Sequence, residues 1–524
     1  MSFLLMIFFT LICLFPVYPE PLFCFPSPVL ALALTLLGTL ALLSHSLWVT
    51  RTVCQGLASN GNARDRLIDR YEKARVRHRL ALLSTYVLIL FVGGWGWLVR
   101  TCWVHAEGQS LPGTELLLLL PFLGIQILSW VIFFDAERAL ARSSPPVVDR
   151  DPSGWLEPHH LGENAATNSA PPPQTRSGYV LFHLRQKLVL VFLPVTLLII
   201  QNELHRLYPR QWELWKGATE LLGLFSLVII FLFMPWVVRL LLGLKPLPDG
   251  PLRDRLLAAS KRLNFRCSNV LFWNTRKGMA NAMVIGLLPW VRYVVFTDRL
   301  LEEFSEDEIE AVFGHEVGHV KHHHMLYYLG FLTASVAVLG LAGSTFAVQA
   351  IATLRSALSP ETLAYLEQTF TFESRQYLQV IPLVVVMLGY IFVVFGFLSR
   401  RCERQADIFG CRAVSCAHPD CWTHGPREEL VPGGRGLCLT GIRTFIGALE
   451  KVALVNGISR DRPGFLQSWQ HSTIARRVEF LQDMLLDPTL EARFQRRVHL
   501  VKWGLFAALG GILLLVFTTQ GWQL

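Results

Sequence analysis

Charge is what this sequence has least of. Asp, Glu, Lys and Arg make up 17% of its 524 residues, while 52% are hydrophobic. That balance argues against a soluble protein of several domains and for several membrane spans. Lys and Arg outnumber Asp and Glu by 48 to 39. Basic residues gathered in cytoplasmic loops explain that excess without a nucleic-acid partner. Cysteine is sparse too. Ten residues, scattered through apolar runs and loops, make no disulfide framework. Met1–Tyr18 is apolar but has no basic residue at its start, so it is a poor signal peptide and reads as a span or an interfacial segment.

What is present is a series of apolar runs: Val29–Val49, Leu82–Leu98, Leu116–Phe134, Leu188–Ile200, Leu221–Val238, Tyr327–Val348, Val380–Leu398 and Trp503–Phe517. They predict a mainly α, polytopic membrane bundle of eight spans, or nine with the N-terminal segment. Lys502 and Trp503 look like interfacial anchors of the last run. Eight basic residues from Arg51 to Arg79 place the first loop in the cytoplasm. Counting onward, Arg239–Met325 and Ser399–Lys502 fall on that same side. Residues 141–178, rich in Pro, Ser and Asn, read as a disordered loop. The expected organisation is a membrane bundle over 1–238, a first protease segment over 239–325, two spans over 326–398, a second protease segment over 399–498 and a last span over 499–524.

Between these runs stands FGHEVGHVKHHH, Phe313–His324, where five of twelve residues are histidine. The segment from Ser305 predicts a helix, with Ser305 as N-cap and acidic residues in the first turn. His315 and His319, four apart, project from one face and can reach one zinc ion. Glu316 lies beside them, as in H-E-x-x-H, where the glutamate is the general base toward the attacking water. Chance alone produces the pattern in on the order of a few per cent of chains this long. A catalytic zinc needs a third protein ligand. SRRCERQADIFGCRA, Ser399–Ala413, offers Glu403 on the same side of the membrane. Asp407, one turn on, could accept a hydrogen bond from the far nitrogen of a ligand histidine. Taken by itself, that segment reads better as a solvated charged helix; H-E-x-x-H on the same side reverses the balance.

Together these residues resemble the integral-membrane zinc metalloproteases that include the type I CAAX prenyl endopeptidase and the heat-shock protease HtpX. Four blocks match in order: NAMVIGLLPWVRYVVFTDRLLE (Asn281–Glu302), HEVGHVKHHH, ERQAD and HSTIARRVEFL (His471–Leu481). In the last, Ser472 replaces the usual proline. The resemblance implies a gluzincin-like domain with a small β-sheet on the cytoplasmic face. It implies one zinc on His315, His319 and Glu403, Glu316 as base, and Arg477 with His471 at the oxyanion. His324 matches a further family histidine. Asn281, Ala282 and Gly286 belong to an edge strand that would pair with an extended peptide. The expected partners are a peptide substrate and the lipid bilayer, with no nucleic acid.

His322 and His323 exceed what a catalytic zinc accepts and read as solvated or interfacial. Cys411, Cys416, Cys421 and Cys438, with His418 and His424, leave open a second metal, free thiols or a local disulfide, since their spacing fits no standard zinc module. A competing reading is a multi-span transporter that relays a metal through the histidines. Transporters place ionisable residues inside the spans, whereas these runs are nearly free of charge. A catalytically silent scaffold of the same fold is a third reading, disfavoured by an intact Glu316.

Overall fold

The computed structural model describes residues 27–59, 64–104, 113–142, 175–188, 232–335, 389–418, 436–461, 470–487 and 489–520, with isolated positions between them such as Cys421. It is mainly helical with one small mixed sheet. The chain divides into two compact units, one drawn from residues up to Leu242 and the other from Gly243–Leu524.

The first unit holds α1 (Pro28–Ser59), α2 (Arg64–Val87), α3 (Trp95–Cys102), α4 (Thr114–Arg142) and α5 (Arg176–Leu188). Pro28–Ala58 and Thr114–Leu140 are long and apolar enough to cross a bilayer. Leu36, Leu37 and Leu40 on α1 are exposed, as lipid-facing leucines would be. The run Leu82–Leu98, expected as one span, is broken. Lys73–Val92 and Trp95–Cys102 meet at 47°. A π-turn over Leu88–Val92 is followed by Gly94 at a left-handed φ of 78°, a conformation that continues no helix.

The expectation of eight or nine spans is therefore corrected for the described residues: two unbroken helices and this bent pair pass the length and polarity test. Met1–Tyr18, much of Leu188–Ile200, about half of Leu221–Val238 and of Val380–Leu398, and most of Tyr327–Val348 lie outside the described residues, as does 143–174 of the disordered loop expected over 141–178, whose two ends belong to α4 and α5. Trp503–Phe517 falls within one helix, α12 (Thr489–Gln520), which runs through the boundary expected at 498/499.

The second unit is built on four strands, β1 (Lys245–Pro246), β2 (Asn269–Trp273), β3 (Ala282–Ile285) and β4 (Tyr293–Thr297), in the order β1-β2-β4-β3. β2 and β4 are parallel and the outer pairs antiparallel. All five residues of β4, YVVFT, are buried, as β-branched and aromatic residues in a covered strand should be. β3 forms one edge. The helices are α6 (Pro251–Arg262), α7 (Asp298–Glu303), α8 (Glu306–Lys321), α9 (Gly396–Ala413), α10 (Leu439–Val455), α11 (Ile474–Leu486) and α12. One core joins the sheet to α8 through Phe265, Val294, Phe296, Phe313 and Val317. A second joins α9, α10 and α11 through Ile408, Phe445, Val478 and Leu481.

Candidate active site

α8 starts as its sequence dictates. Ser305 Oγ accepts the Glu308 N–H at 3.3 Å, and Glu308 Oε2 accepts the Ser305 N–H at 2.8 Å. This reciprocal cap satisfies two orphan donors of the first turn. Behind it, buried Glu310 accepts from Arg255 Nε at 2.6 Å and from Arg262 Nη2 at 2.5 Å. Arg262 also donates to the Ala413 carbonyl at 2.7 Å, at the end of α9. A buried carboxylate held by two guanidiniums thus ties α8 to α6 and α9.

α8 and α9 meet on small residues. A Cβ on Gly314 would lie 2.2 Å from Ala413 Cβ, and one on Gly318 3.1 Å from Ala406 Cα. Two glycines one turn apart let the helix axes approach. Glu403 on α9 thereby reaches the imidazoles of α8.

The ligand atoms converge. His315 Nε2 and His319 Nε2 are 3.2 Å apart. Glu403 Oε2 lies 3.8 Å from His315 Nε2, and Glu403 Oε1 3.7 Å from His319 Nε2. A tetrahedral zinc with bonds of about 2.0–2.1 Å separates its ligand atoms by about 3.3 Å. The three donors fit one such ion. Two imidazole nitrogens and a carboxylate oxygen, aimed at one point, are also the donor set that zinc prefers.

The far nitrogens are occupied too. His315 Nδ1 lies 3.0 Å from Asp407 Oδ1, although its N–H does not point straight at the carboxylate. His319 Nδ1 faces His324 Nδ1 at 3.0 Å, and His324 Nε2 faces Gln405 Oε1 at 3.2 Å. One proton assignment satisfies the whole line. Gln405 Nε2 donates to Gln495 Oε1. Gln405 Oε1 therefore accepts, so His324 carries its proton on Nε2 and accepts on Nδ1. His319 is then protonated on Nδ1, leaving the Nε2 lone pair for the metal. Lys502 Nζ donates to the same Gln405 oxygen at 3.1 Å, so this residue, expected as an interfacial anchor, reaches the surroundings of the site instead.

The histidine run serves this geometry. α8 ends at Lys321, and His323 takes a left-handed φ of 54°, which His tolerates better than most side chains. The chain turns there and brings buried His324 back against His319. His323 is exposed. His322 was expected to be solvated or interfacial. It packs instead, stacked on His324 at 5.6 Å and edge-on to Phe409 at 6.2 Å, because the turn lays its ring along α9.

Glu316 Oε2 accepts the Val284 N–H at 3.1 Å, from the edge strand β3. Val284 N–H thus points away from β4, and by strand alternation the groups of Ala282 point the same way. Asn281 points inward: its N–H meets Thr297 Oγ1 at 2.8 Å and its carbonyl the Thr297 N–H at 3.0 Å. Gly286 is held by backbone geometry. Its φ is 101°, and a Cβ would lie 2.4 Å from the Val291 carbonyl oxygen. A cleft of about 400 Å³ opens beside His319, walled by Leu287, Pro289, Val320, Met325 and Leu326.

Burial and charge set the protonation. Burial pushes the Glu316 carboxyl up to about 7, opposed by His315, reinforced by Glu403 and opposed by the Val284 N–H. Burial holds the His319 imidazole down at about 4, with His315 adding to it. Burial works to raise Glu403 but is outweighed by His471, His319 and Arg477, so it stays well below the usual range. Asp407, likewise penalised by burial, is held low by Arg477 and His315.

His471 Nδ1 lies 3.1 Å from Glu403 Oε2 and is the exposed member of the group. Arg477 Nε donates to Asp407 Oδ2 at 2.9 Å and Arg477 Nη2 to Asp407 Oδ1. Arg477 Nη1 lies 3.8 Å from Glu403. The arginine expected at the oxyanion thus fixes Asp407 with two nitrogens. Ser472 has a φ of +68°, unreachable for proline, whose ring locks φ near −65°. The departure from the family's proline therefore matches the backbone. Gln405 was passed over in the sequence. Its position inside ERQAD was the only signal, and an uncharged amide between charged residues reads as surface.

Residues 246–423 match the family model described as Peptidase family M48. A CAAX prenyl protease 1 homolog from Arabidopsis thaliana is 30% identical over 191 residues, 36% of this chain and 42% of that protein. One from Dictyostelium discoideum is 29% identical over 207 residues, 38% of this chain and 45% of that protein. A protease HtpX homolog from Archaeoglobus fulgidus is 26% identical over 117 residues, 22% of this chain and 33% of that protein. The chain spans less than half the length of these relatives. Among solved structures, the crystal structure of S. mikatae Ste24p is similar at a TM-score of 0.44 and 15% identity, over 86% of this chain and 98% of that one. The first three sequence blocks lie inside the matched residues and the fourth, from His471, lies beyond them. The resemblance read from the sequence is borne out: residues 246–423 carry the peptidase family M48 pattern, with relatives of both the CAAX prenyl protease 1 and the HtpX kind.

Proposed function

We propose that this chain is a membrane-embedded zinc endopeptidase. The observation that carries this reading is the convergence of His315 Nε2, His319 Nε2 and a Glu403 oxygen within one ion's reach, with Glu316 beside them. Zinc held by those three side chains would supply a Lewis acid for the scissile carbonyl.

The remaining work falls to the chain's own residues. The outward groups of Ala282 and the Val284 carbonyl, on the edge of β3, pair with an extended peptide and set its register, the Val284 N–H being held by Glu316. Glu316 Oε2 is anchored by the Val284 N–H, which steadies the carboxylate beside the two histidines. It takes the proton of the attacking water and returns it to the leaving amine. His471 Nδ1 and Arg477 Nη1 lie 3.1 and 3.8 Å from Glu403 Oε2, and we assign them the developing oxyanion, to which both can donate. Asp407 holds the His315 ring, and the His324–Gln405 line holds His319. The expected placement is integral in the membrane through α1 and α4, with the site on the cytoplasmic face. The names of the relatives support a peptide or protein substrate.

The deciding experiment compares cleavage products in cells carrying the wild type and Glu316→Gln. Peptides that appear only with the wild type identify the substrate. Identical peptide sets would rule out the peptidase reading.

A further inference from the structure

The geometry points to a second metal site, distinct from the histidine–glutamate cluster, in which Cys416, Cys421 and Cys438 bind one structural zinc ion. Sequence spacing left these cysteines undecided among a metal, free thiols and a disulfide. The fold brings their three sulfurs together within 4.8 Å of one another. Cys416 Sγ and Cys421 Sγ are 3.2 Å apart. Cys411 is not one of them. It is buried in the apolar core between α9 and α11.

Three features make this a built arrangement. First, Cys416 and Cys438 are each only 1% exposed, so two convergent sulfurs are withdrawn from water. Second, Cys438 caps α10, and the Gly441 N–H donates to its sulfur at 3.2 Å. That hydrogen bond fixes where the Cys438 sulfur sits, at the start of α10 and facing the other two. Third, the two segments are pinned to each other. Cys438 N–H donates to Ser415 Oγ at 3.1 Å, and Thr440 Oγ1 donates to the Cys421 carbonyl at 2.7 Å.

As free thiols, Cys416 Sγ donates to the His418 carbonyl at 3.5 Å and Cys421 Sγ to Thr440 Oγ1 at 3.3 Å, weak contacts that a metal can displace. Thiols are weak donors, and three of them gain little by facing one another. A Cys416–Cys421 disulfide would leave Cys438 aimed at the bridge with no covalent role. A tetrahedral zinc with Zn–S bonds of about 2.3 Å separates its sulfurs by about 3.8 Å. The Cys416–Cys421 pair, at 3.2 Å, reaches that by opening about 0.6 Å, and the other two separations lie within 4.8 Å. On binding, each thiol that ligates gives up its proton to solvent, and the ion's two positive charges offset the thiolates.

The position tells what the ion does. Cys416 and Cys421 follow α9, which carries Glu403 and Asp407. Cys438 begins α10, whose Phe445 stacks on the His315 ring at 5.7 Å. The ion clamps the end of one helix to the start of the other, directly behind the candidate active site. Zinc takes a fourth ligand. Among the described residues His418, on the turn between the first two cysteines, is the source to weigh against water, and a His418→Ala variant separates them; His424 lies outside the described residues.

The test uses the full-length protein, purified in detergent under reducing conditions with zinc supplied. Zinc is counted by mass spectrometry, and its ligands are read by X-ray absorption. In a His315→Ala/His319→Ala variant, one zinc per chain should remain, with sulfur neighbours at about 2.3 Å. Adding Cys421→Ser should take that count from one to zero. Because the double histidine variant can fail to fold, the same change is also made in the wild type. There the sulfur shell should vanish while any nitrogen and oxygen shell remains. The proposal is overturned if no zinc has sulfur neighbours, if all three thiols alkylate at the rate of unfolded protein, or if peptide mapping finds Cys416 bonded to Cys421. A failure of the peptidase reading leaves a zinc with sulfur neighbours alone, so the two outcomes differ.

Discussion

At the residue scale, the candidate chemistry rests on one carboxylate in two roles of environment. Glu316 is withdrawn from water and touches the edge strand. Glu316→Gln keeps that shape and the Val284 hydrogen bond but removes the proton acceptor. Peptidase activity should fall at least ~10²-fold while zinc content, measured by mass spectrometry, stays unchanged. A linked stability effect is expected in protein stripped of metal. The Glu316 carboxyl is raised from its ordinary 4.5 to about 7 in the fold. The fold therefore favours the protonated form. Its contribution is fully present below pH 4.5 and is lost as pH rises through 7. Chelator-treated Glu316→Gln should match the wild type in denaturation midpoint at pH 4.5 and exceed it at pH 8. An equal or lower midpoint at pH 8 would count against the burial argument.

Gln405 makes a second residue-scale case. Its amide oxygen fixes the proton of His324 and, through it, that of His319. Gln405→Leu removes the acceptor and leaves a buried imidazole unpaired. Zinc affinity should fall on the order of 10–100-fold, the usual cost of losing an outer hydrogen bond to a ligand histidine. Competition with a zinc chelator of known affinity measures it. Gln405→Glu retains an acceptor oxygen and should recover most of the loss. If both variants weaken binding alike, the amide acts through packing alone.

At the element scale, the decisive contact is α8 against α9. Gly314→Ala places a methyl group within 2.2 Å of Ala413 Cβ, and neither atom can swing away, because both are fixed to backbone. Overpacking of this kind costs about 1–3 kcal/mol. The helices must separate, and Glu403 withdraws from the imidazoles. Thermal unfolding should come earlier, and zinc should be lost. Gly314→Ala with Ala413→Gly restores the space and should rescue both. Zinc retention in the single variant would show that the helix spacing does not set the ligand geometry.

At the scale of the whole molecule, topology is what the site depends on. His315 and Glu403 can share an ion only if an even number of crossings separates them. Single cysteines at Ser305 and Glu479, both exposed, should label from the same side of the membrane. A cysteine at exposed Ser359 should label from the other side. If Ser359 labels with Ser305, the intervening apolar runs form a re-entrant hairpin. If Ser305 and Glu479 label from opposite sides, the shared-site reading fails.

Local spacing determined a good deal by itself. The capped helix from Ser305 and the pairing of His315 with His319 follow from a 3.6-residue period and a capping box. The family blocks named Glu403 and Asp407 from residue identity in order. The sheet edge near Ala282 was legible through the family block Asn281–Glu302, which the resemblance makes an edge strand. Apolar length overstated what the described residues show of the spans. A run such as Leu82–Leu98 can be apolar throughout and still be bent at Gly94, since hydropathy carries no φ. Only the tertiary structure decided which partners each side chain meets. Arg477 turned to Asp407, Gln405 entered the histidine line, and three cysteines of unfamiliar spacing met between α9 and α10. Those encounters join residues up to 97 positions apart along the chain, as Gln405 and Lys502 are. Such distances are closed by helix packing, which sequence periodicity does not encode.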